Sequence, residues 1–200
     1  PDLVVAEIAD QYASGGAMAL SVLTDGEFFG GSGDDLRAAR RACDLPVLRK
    51  DFTVSEANVC DARIMGADAV LLIVAALTDD ELRRFRDLAG ALEMTALVEV
   101  HTGDELARAL DAGADVIGVN SRDLRTFDVD LGVVERLALR IPDHVVKVAE
   151  SGVKDAADAQ RMAECGYDAV LVGTGVVTSP DPAATIRSMR NTRSPVPPRG

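Results

Sequence analysis

Four residues of this 200-residue chain combine reactive side chains with matching positions in the pattern: Lys50, Glu99, Asn120 and Glu150. Each closes a short apolar run rich in Val, Leu and Ile. One ammonium, two carboxylates and an amide can supply a general acid, a general base and a group that orients substrate. Taken singly, each has a plain structural alternative. Lys50 could be a solvated loop lysine, Glu99 a rim charge, Asn120 a turn cap, and Glu150 a partner for the amino end of the next helix. The four together, at equivalent places, favour chemistry. The stretch Pro46-Val-Leu-Arg-Lys-Asp-Phe52 is the most telling, because a buried strand there runs directly into charge. Side chains alternate along a strand, so Leu48, Lys50 and Phe52 share one face, and Val47, Arg49 and Asp51 share the other. An ammonium on the inner face of a sheet is open to tuning by desolvation.

Two further segments suit an anion. Ser151-Gly152 and Gly173-Thr174-Gly175 follow the last two apolar runs, and small residues let backbone amides come close to a phosphate. Phe28-Phe29, in an otherwise polar, glycine-rich loop, suits an apolar wall for a ring-bearing ligand. They could equally plug the top of the fold. His101 and His144 are not spaced as a ligand pair and read as structural or solvated.

These residues need elements that bring distant positions to one edge. Strand and helix patterns alternate through the whole chain. Helices are expected over 3–12, 34–42, from the Ser55 cap to 65, over 79–92 after the Thr78 cap, 103–112 after the Thr102 cap, 132–140, 156–165 and 182–189. Strands are expected over 17–23, 46–50, 69–74, 95–101, 116–120, 145–150 and 169–173. Such alternation with short connections gives a parallel sheet covered by helices. A longer period overlies it: Gly16, Gly66, Gly113 and Gly166 recur about every 50 residues, each a helix stop before a strand. Ionisable groups end strands along the whole chain, which suits a closed barrel, whose strand ends all meet at one face, better than an open sheet with a single crevice. The expected class is therefore α/β, a (β/α)8 TIM barrel with about seven strands in this chain and the first one lacking. The barrel domain is expected over 1–190, with a flexible Pro/Arg-rich tail at 191–200.

Composition narrows the partners. The chain is 48% hydrophobic and 27% charged, with 4% aromatic residues and no Trp, so its core is aliphatic. A formal net charge of -12 and no basic patch argue against nucleic acid and anionic membranes. No apolar run reaches the length of a membrane span, and no signal-peptide pattern opens the chain. Cys43, Cys60 and Cys165 form no metal or disulfide signature, which fits reduced thiols in a cytoplasm.

The motifs resemble those of the indole-3-glycerol phosphate synthase family. They are Ser21-Val-Leu-Thr-Asp with Phe28-Phe29, Pro46 to Phe52, Leu71 to Leu77, Leu97-Val-Glu-Val-His101, Gly118-Val-Asn-Ser-Arg-Asp-Leu124 and Glu150-Ser-Gly152. The resemblance runs from about Leu3 to Arg187. It implies a (β/α)8 barrel that decarboxylates and cyclises 1-(2-carboxyphenylamino)-1-deoxyribulose 5-phosphate to indole-3-glycerol phosphate, an amino-acid biosynthesis step leading to tryptophan, without metal or organic cofactor. It implies Lys50 as general acid, Glu99 as the acid–base group for loss of water, and Asn120 and Glu150 as holders of substrate and developing charge. Arg122, Phe29 and Phe52 are implied at the substrate, and Ser151, Gly152, Gly173 and Thr174 at its phosphate. The implied partner is a phosphorylated small molecule, with the protein a monomer or weak homodimer.

The chain also departs from the family pattern. Ala57-Asn58 stands where Tyr-Gln is usual, Ser121 where a second Asn is usual, and Thr174 where Glu is frequent. The family's first strand, with its glutamate and lysine, and the Ser-Pro-Ser-Lys-Gly loop lie before Pro1, so the chain reads as N-terminally incomplete, with barrel edges open to association. Two other readings stay open. One is an inactive barrel that binds a sugar phosphate or a protein. The other is a different phosphate-binding barrel, such as a phosphoribosyl isomerase.

Overall fold

The structure, a computed structural model, describes residues 4–28, 30–122 and 128–190. The tail expected at 191–200 and the candidate Phe29 lie outside the described residues. The chain divides into two compact units, Pro1–Val98 and Glu99–Gly200.

The first unit holds α1 (Val5–Gly15), β1 (Leu20–Leu23), α2 (Gly33–Ala42), β2 (Val47–Lys50), α3 (Glu56–Met65), β3 (Ala69–Ile73) and α4 (Asp79–Ala91). β1, β2 and β3 lie side by side in chain order, all parallel, with Leu23 opposite Lys50 and Leu48 opposite Ala69. β4 (Thr95–Val100) carries the chain from the first unit into the second. The second unit continues with α5 (Gly103–Asp111), β5 (Val116–Asn120), α6 (Leu131–Ala138), β6 (Val146–Glu150), α7 (Ala156–Glu164), β7 (Ala169–Leu171), α8 (Thr174–Val177) and α9 (Pro182–Arg190). β5, β6 and β7 are again parallel and sequential, with Asn120 opposite Glu150 and Glu150 opposite Leu171.

The helices begin where their side chains can satisfy orphan amide groups. The hydroxyls of Ser55, Thr78 and Thr102 each accept a hydrogen bond from the N–H three residues on, and Thr78 forms a full capping box with Glu81. On α4, Leu82, Phe85 and Ala89 recur at helical spacing and are buried. Hiding Leu82 and Phe85 contributes about 1.5–3 kcal/mol each.

The recurring glycines are helix stops, as expected: Gly16, Gly66, Gly113 and Gly166 all have positive φ. The Asp that follows two of them has a second role. Asp68 Oδ2 accepts the Val47 N–H at 2.8 Å, and Asp168 Oδ2 accepts the Lys147 N–H at 2.8 Å. Each carboxylate thus pins the start of the neighbouring strand.

Several boundaries differ from the sequence pattern. α1 runs on to Gly15, because Ala13 and Ser14 keep helical geometry until Gly16 turns left-handed. β1 starts only at Leu20, where its N–H first meets Pro46 O. β7 stops at Leu171, and Gly173 is the N-cap of the short helix α8, which Thr174 and Gly175 open, rather than a continuation of the strand.

Candidate functional site

Lys50 is the last residue of β2 and is half-buried, while Arg49 and Asp51 beside it are 7% and 6% exposed. The alternation explains the difference. The Arg49 guanidinium donates to Thr24 Oγ1 at 3.0 Å, Asn58 O at 2.9 Å and Asp51 Oδ2 at 2.6 Å. Thr24 Oγ1 donates to the same Asp51 oxygen at 2.5 Å, and the Phe52 N–H donates to Asp51 Oδ1 at 2.7 Å. This closed network joins the ends of β1 and β2 to α3, and sends Lys50 to the opposite face of the strand. Asn58, which replaces the family's usual Gln, accepts at Oδ1 from Ser55 Oγ and the Val54 N–H. Phe52 packs edge-on against Phe28, with ring centroids 5.6 Å apart, and both rings are partly exposed. Phe28 thus meets the ring of Phe52, the other aromatic residue expected beside the substrate.

Three candidates lie at strand ends in the second unit. Glu99 on β4 and Glu150 at the end of β6 are each only 1% exposed. Asn120 ends β5, is buried, and is the register partner of Glu150. Beyond that pair, the Ser121 N–H donates to Glu150 O, and the Arg122 N–H donates to Asn120 Oδ1. The amide of Asn120 is thereby oriented by its own turn.

The turn after β6 bends sharply. Ser151 and Gly152 both have positive φ, 65° and 77°. A Cβ at Gly152 would lie 2.8 Å from both Leu131 Cδ2 and Val129 Cγ1, so a larger residue would crowd these side chains and strain the backbone. At Gly175 an added Cβ would come within 2.9 Å of Lys154 O. The segment after β7 therefore lies against the segment after β6, which brings Ser151-Gly152 and Gly173-Thr174 to neighbouring loops. Gly173 is open: among the described residues, no atom lies within 4 Å of where its Cβ would be.

His101, read from sequence as structural or solvated, faces two carboxylates. Its Nε2 is 3.5 Å from Glu99 Oε1 and its Nδ1 is 3.4 Å from Glu105 Oε2. The sequence signals were Glu99 and His101 two apart on one strand, and an N3 glutamate just beyond. Burial lowers the His101 pKa, but the Glu105 hydrogen bond and the charges of Glu99, Glu105 and Glu150 outweigh it and raise the imidazole above its ordinary value. For Glu105, burial acts upward, and the bonds to His101 and Thr102 bring the net shift below the usual carboxylate range.

Parallel strands in chain order, covered by helices and carrying ionisable groups at their carboxyl ends, place the chain among the α/β barrels. Solved structures agree on the fold: thiamine phosphate pyrophosphorylase from Pyrococcus furiosus matches with a TM-score of 0.72 at 18% identity, over 95% of this chain and 88% of that one. KGPDC from Streptococcus mutans matches with a TM-score of 0.68 at 16% identity, over 94% and 90%. The indole-3-glycerol phosphate synthase family model matches residues 1–189. The synthase of Kineococcus radiotolerans is 52% identical over 92% of this chain and 67% of its own length, and that of Nocardioides sp. is 52% identical over 94% and 73%. The synthase of Chloroherpeton thalassium is 53% identical over 86% of this chain and 66% of its own. The chain belongs to the indole-3-glycerol phosphate synthase family, whose members are decarboxylating lyases, and it spans about two thirds of the length of these relatives.

Proposed function

We propose that this chain carries the ring-closing chemistry of its family, the conversion of 1-(2-carboxyphenylamino)-1-deoxyribulose 5-phosphate to indole-3-glycerol phosphate. In this reading Lys50 is the general acid. It polarises and protonates the ribulose carbonyl while the aromatic ring attacks the same carbon. Loss of carbon dioxide from the attacking ring carbon then returns the ring electrons, and the hydroxyl leaves as water while the neighbouring carbon gives up a proton, with Glu99 as the acid–base group of this step. Asn120 and Glu150 hold the substrate and its developing positive charge, and Arg122 meets the substrate beyond the end of β5. Phe29 and Phe52 wall the aromatic ring. Ser151, Gly152, Gly173 and Thr174 receive the phosphate through backbone amides and hydroxyls, with the small residues permitting close approach. The reaction is placed in the cytoplasm, with the protein a monomer or weak homodimer.

The observation that carries this reading is the pairing of Asn120 with Glu150 at the ends of β5 and β6, directly before a tight turn in which position 152 disfavours any side chain. A buried carboxylate and an oriented amide beside a backbone-lined turn suit a substrate with a polarisable ring system at one end and a phosphate at the other.

Turnover by the full-length protein, followed by the fluorescence of the indole product, tests the proposal. Lys50→Met should lower kcat by roughly 10²- to 10⁴-fold, with substrate affinity largely kept. Substrate binding without any product would instead support a binding barrel.

A further inference from the structure

Thr24 is the first residue past β1, and it bonds to three consecutive residues around the end of β2. Its N–H donates to Lys50 O at 3.4 Å, one step beyond the register pair of Leu23 with Lys50. Its Oγ1 accepts from Arg49 Nε at 3.0 Å and donates to Asp51 Oδ2 at 2.5 Å. The one proton of this hydroxyl is thereby committed to Asp51, so Thr24 has no side-chain donor left for a substrate. What it grips is the chain on either side of Lys50. The two anchors are themselves held. Arg49 and Asp51 are nearly inaccessible and bind each other, and Arg49 also donates to Asn58 O on α3. Asp51 accepts the Phe52 N–H through its other oxygen.

We propose that Thr24 is a positioning residue for Lys50: by bonding the residue before it, its own carbonyl and the residue after it, Thr24 fixes the root from which the Lys50 side chain rises. The proposal rests on the reading of Lys50 as the general acid. The clamp sets the backbone and the Cα–Cβ direction, whatever the ammonium meets at its far end. The end of β2 needs it. The strand is 4 residues long with Lys50 as its last, and its register with β3 stops at Arg49 opposite Val70. Beyond Arg49 the course of the chain is therefore set from the β1 side, where Thr24 stands. A general acid works only within hydrogen-bond reach of the atom it protonates. A misplacement of about 1 Å can cost roughly 10²-fold in rate, so the root of Lys50 matters to turnover although Thr24 gives no proton to substrate. Thr24→Val probes the clamp better than a change at Asp51, because it keeps the side-chain shape and leaves the Arg49–Asp51 pair whole.

The test reads Lys50 directly and then through turnover. In the full-length protein, isotopically labelled at lysine Cε, the NMR signal of Lys50 is identified by its loss in Lys50→Met. Thr24→Val should shift that signal, and Thr24→Ser, which retains the hydroxyl, should leave it near its wild-type position. Thr24→Ala, which removes the hydroxyl without overpacking, should act as Thr24→Val does. In turnover, with folding checked by circular dichroism, Thr24→Val should lower kcat by about 10- to 100-fold while KM changes little, and Thr24→Ser should keep most of the rate. In a Lys50→Met background the same Thr24→Val should change kcat little, because a residue that acts through Lys50 then has nothing to act on. A Lys50 signal indifferent to both Thr24→Val and Thr24→Ala overturns the proposal. So does a loss of kcat by the same factor with and without Lys50, which is the mark of a merely structural role. An inactive wild type whose Lys50 signal still answers to Thr24→Val overturns the enzymatic reading alone and upholds the clamp.

Discussion

Gly152 shows how one residue can govern the turn beyond β6. Its φ of 77° is in the left-handed region, and Leu131 and Val129 close the space where a Cβ would go. Gly152→Ala should lower the denaturant midpoint by an amount equivalent to about 1–3 kcal/mol, through overpacking joined to backbone strain. If the turn receives phosphate, KM should rise more than kcat falls. His101 and Glu105 carry a different kind of prediction, since both titrate. The folded-state pKa of His101 is raised, so its contribution to stability is full below the unfolded value and is lost as pH rises through the folded one. The folded-state pKa of Glu105 is lowered, so its contribution is present above the unfolded value and is lost as pH falls through the folded one. The pair therefore supports the fold best between the ordinary carboxylate and imidazole values, at about pH 4.5–6.5. Urea unfolding at about pH 5.5 and about pH 8.5 should show a decline at the higher pH in the wild type, and a smaller decline in His101→Gln. Sequence revealed Glu99 as a strand-end acid, and it concealed the carboxylates that surround His101. A histidine two residues on is unremarkable until α5 turns back and sets Glu105 against it.

Among the elements, β2 depends most on a polar network. Arg49 and Asp51 are both nearly inaccessible, and they tie β1, β2 and α3 together through Thr24 and Asn58 O. Asp51→Ala would strand a buried guanidinium, at a cost of about 3–5 kcal/mol, typical for removing one partner of a buried pair. Replacing both residues together, as Arg49→Met with Asp51→Leu, should cost less than Asp51→Ala alone, because no charge is then left behind. A double-mutant cycle from denaturant midpoints checks both statements. Lys50 should lose activity in Asp51→Ala even under conditions where the protein stays folded, since the network sets the face on which Lys50 emerges. The strand and its alternation were readable from Pro46 to Phe52, but the pairing was not. A run of Arg, Lys and Asp looks like an exit to solvent, and only Thr24 just past the neighbouring strand and Asn58 on the next helix turn the Arg and Asp inward. The helix starts at Ser55, Thr78 and Thr102 were legible because capping is local. The strand-pinning roles of Asp68 and Asp168 were not, because their partners lie 21 residues away.

At the scale of the whole molecule, the alternation of strand and helix and the glycine stops recurring about every 50 residues were enough to expect a barrel. Both signals are repetitive, and repetition survives errors at single boundaries. The division into two compact units within β4 left no mark in the sequence, since β4 is one continuous strand from Thr95 to Val100. The property that acts over the whole chain is charge, and a formal net charge of -12 opposes the approach of an anionic sugar phosphate. Backbone amides at Ser151-Gly152 and Gly173-Thr174, if they receive the phosphate as proposed, act at hydrogen-bond range, whereas the repulsion acts over the Debye length, about 30 Å at 10 mM salt and about 8 Å at 150 mM. Raising salt over that interval should therefore screen the long-range term and leave the short-range contacts intact. The expected outcome is a kcat/KM for the phosphorylated substrate that rises by a factor of a few with sodium chloride, while kcat stays level. A steep fall instead would mean that cations near the site steer the substrate more strongly than the acidic surface repels it. Repeating the series with Lys50→Met in a binding assay then separates the two cases: the salt response of affinity should persist without Lys50 if the whole surface sets it, and should flatten if that single ammonium does.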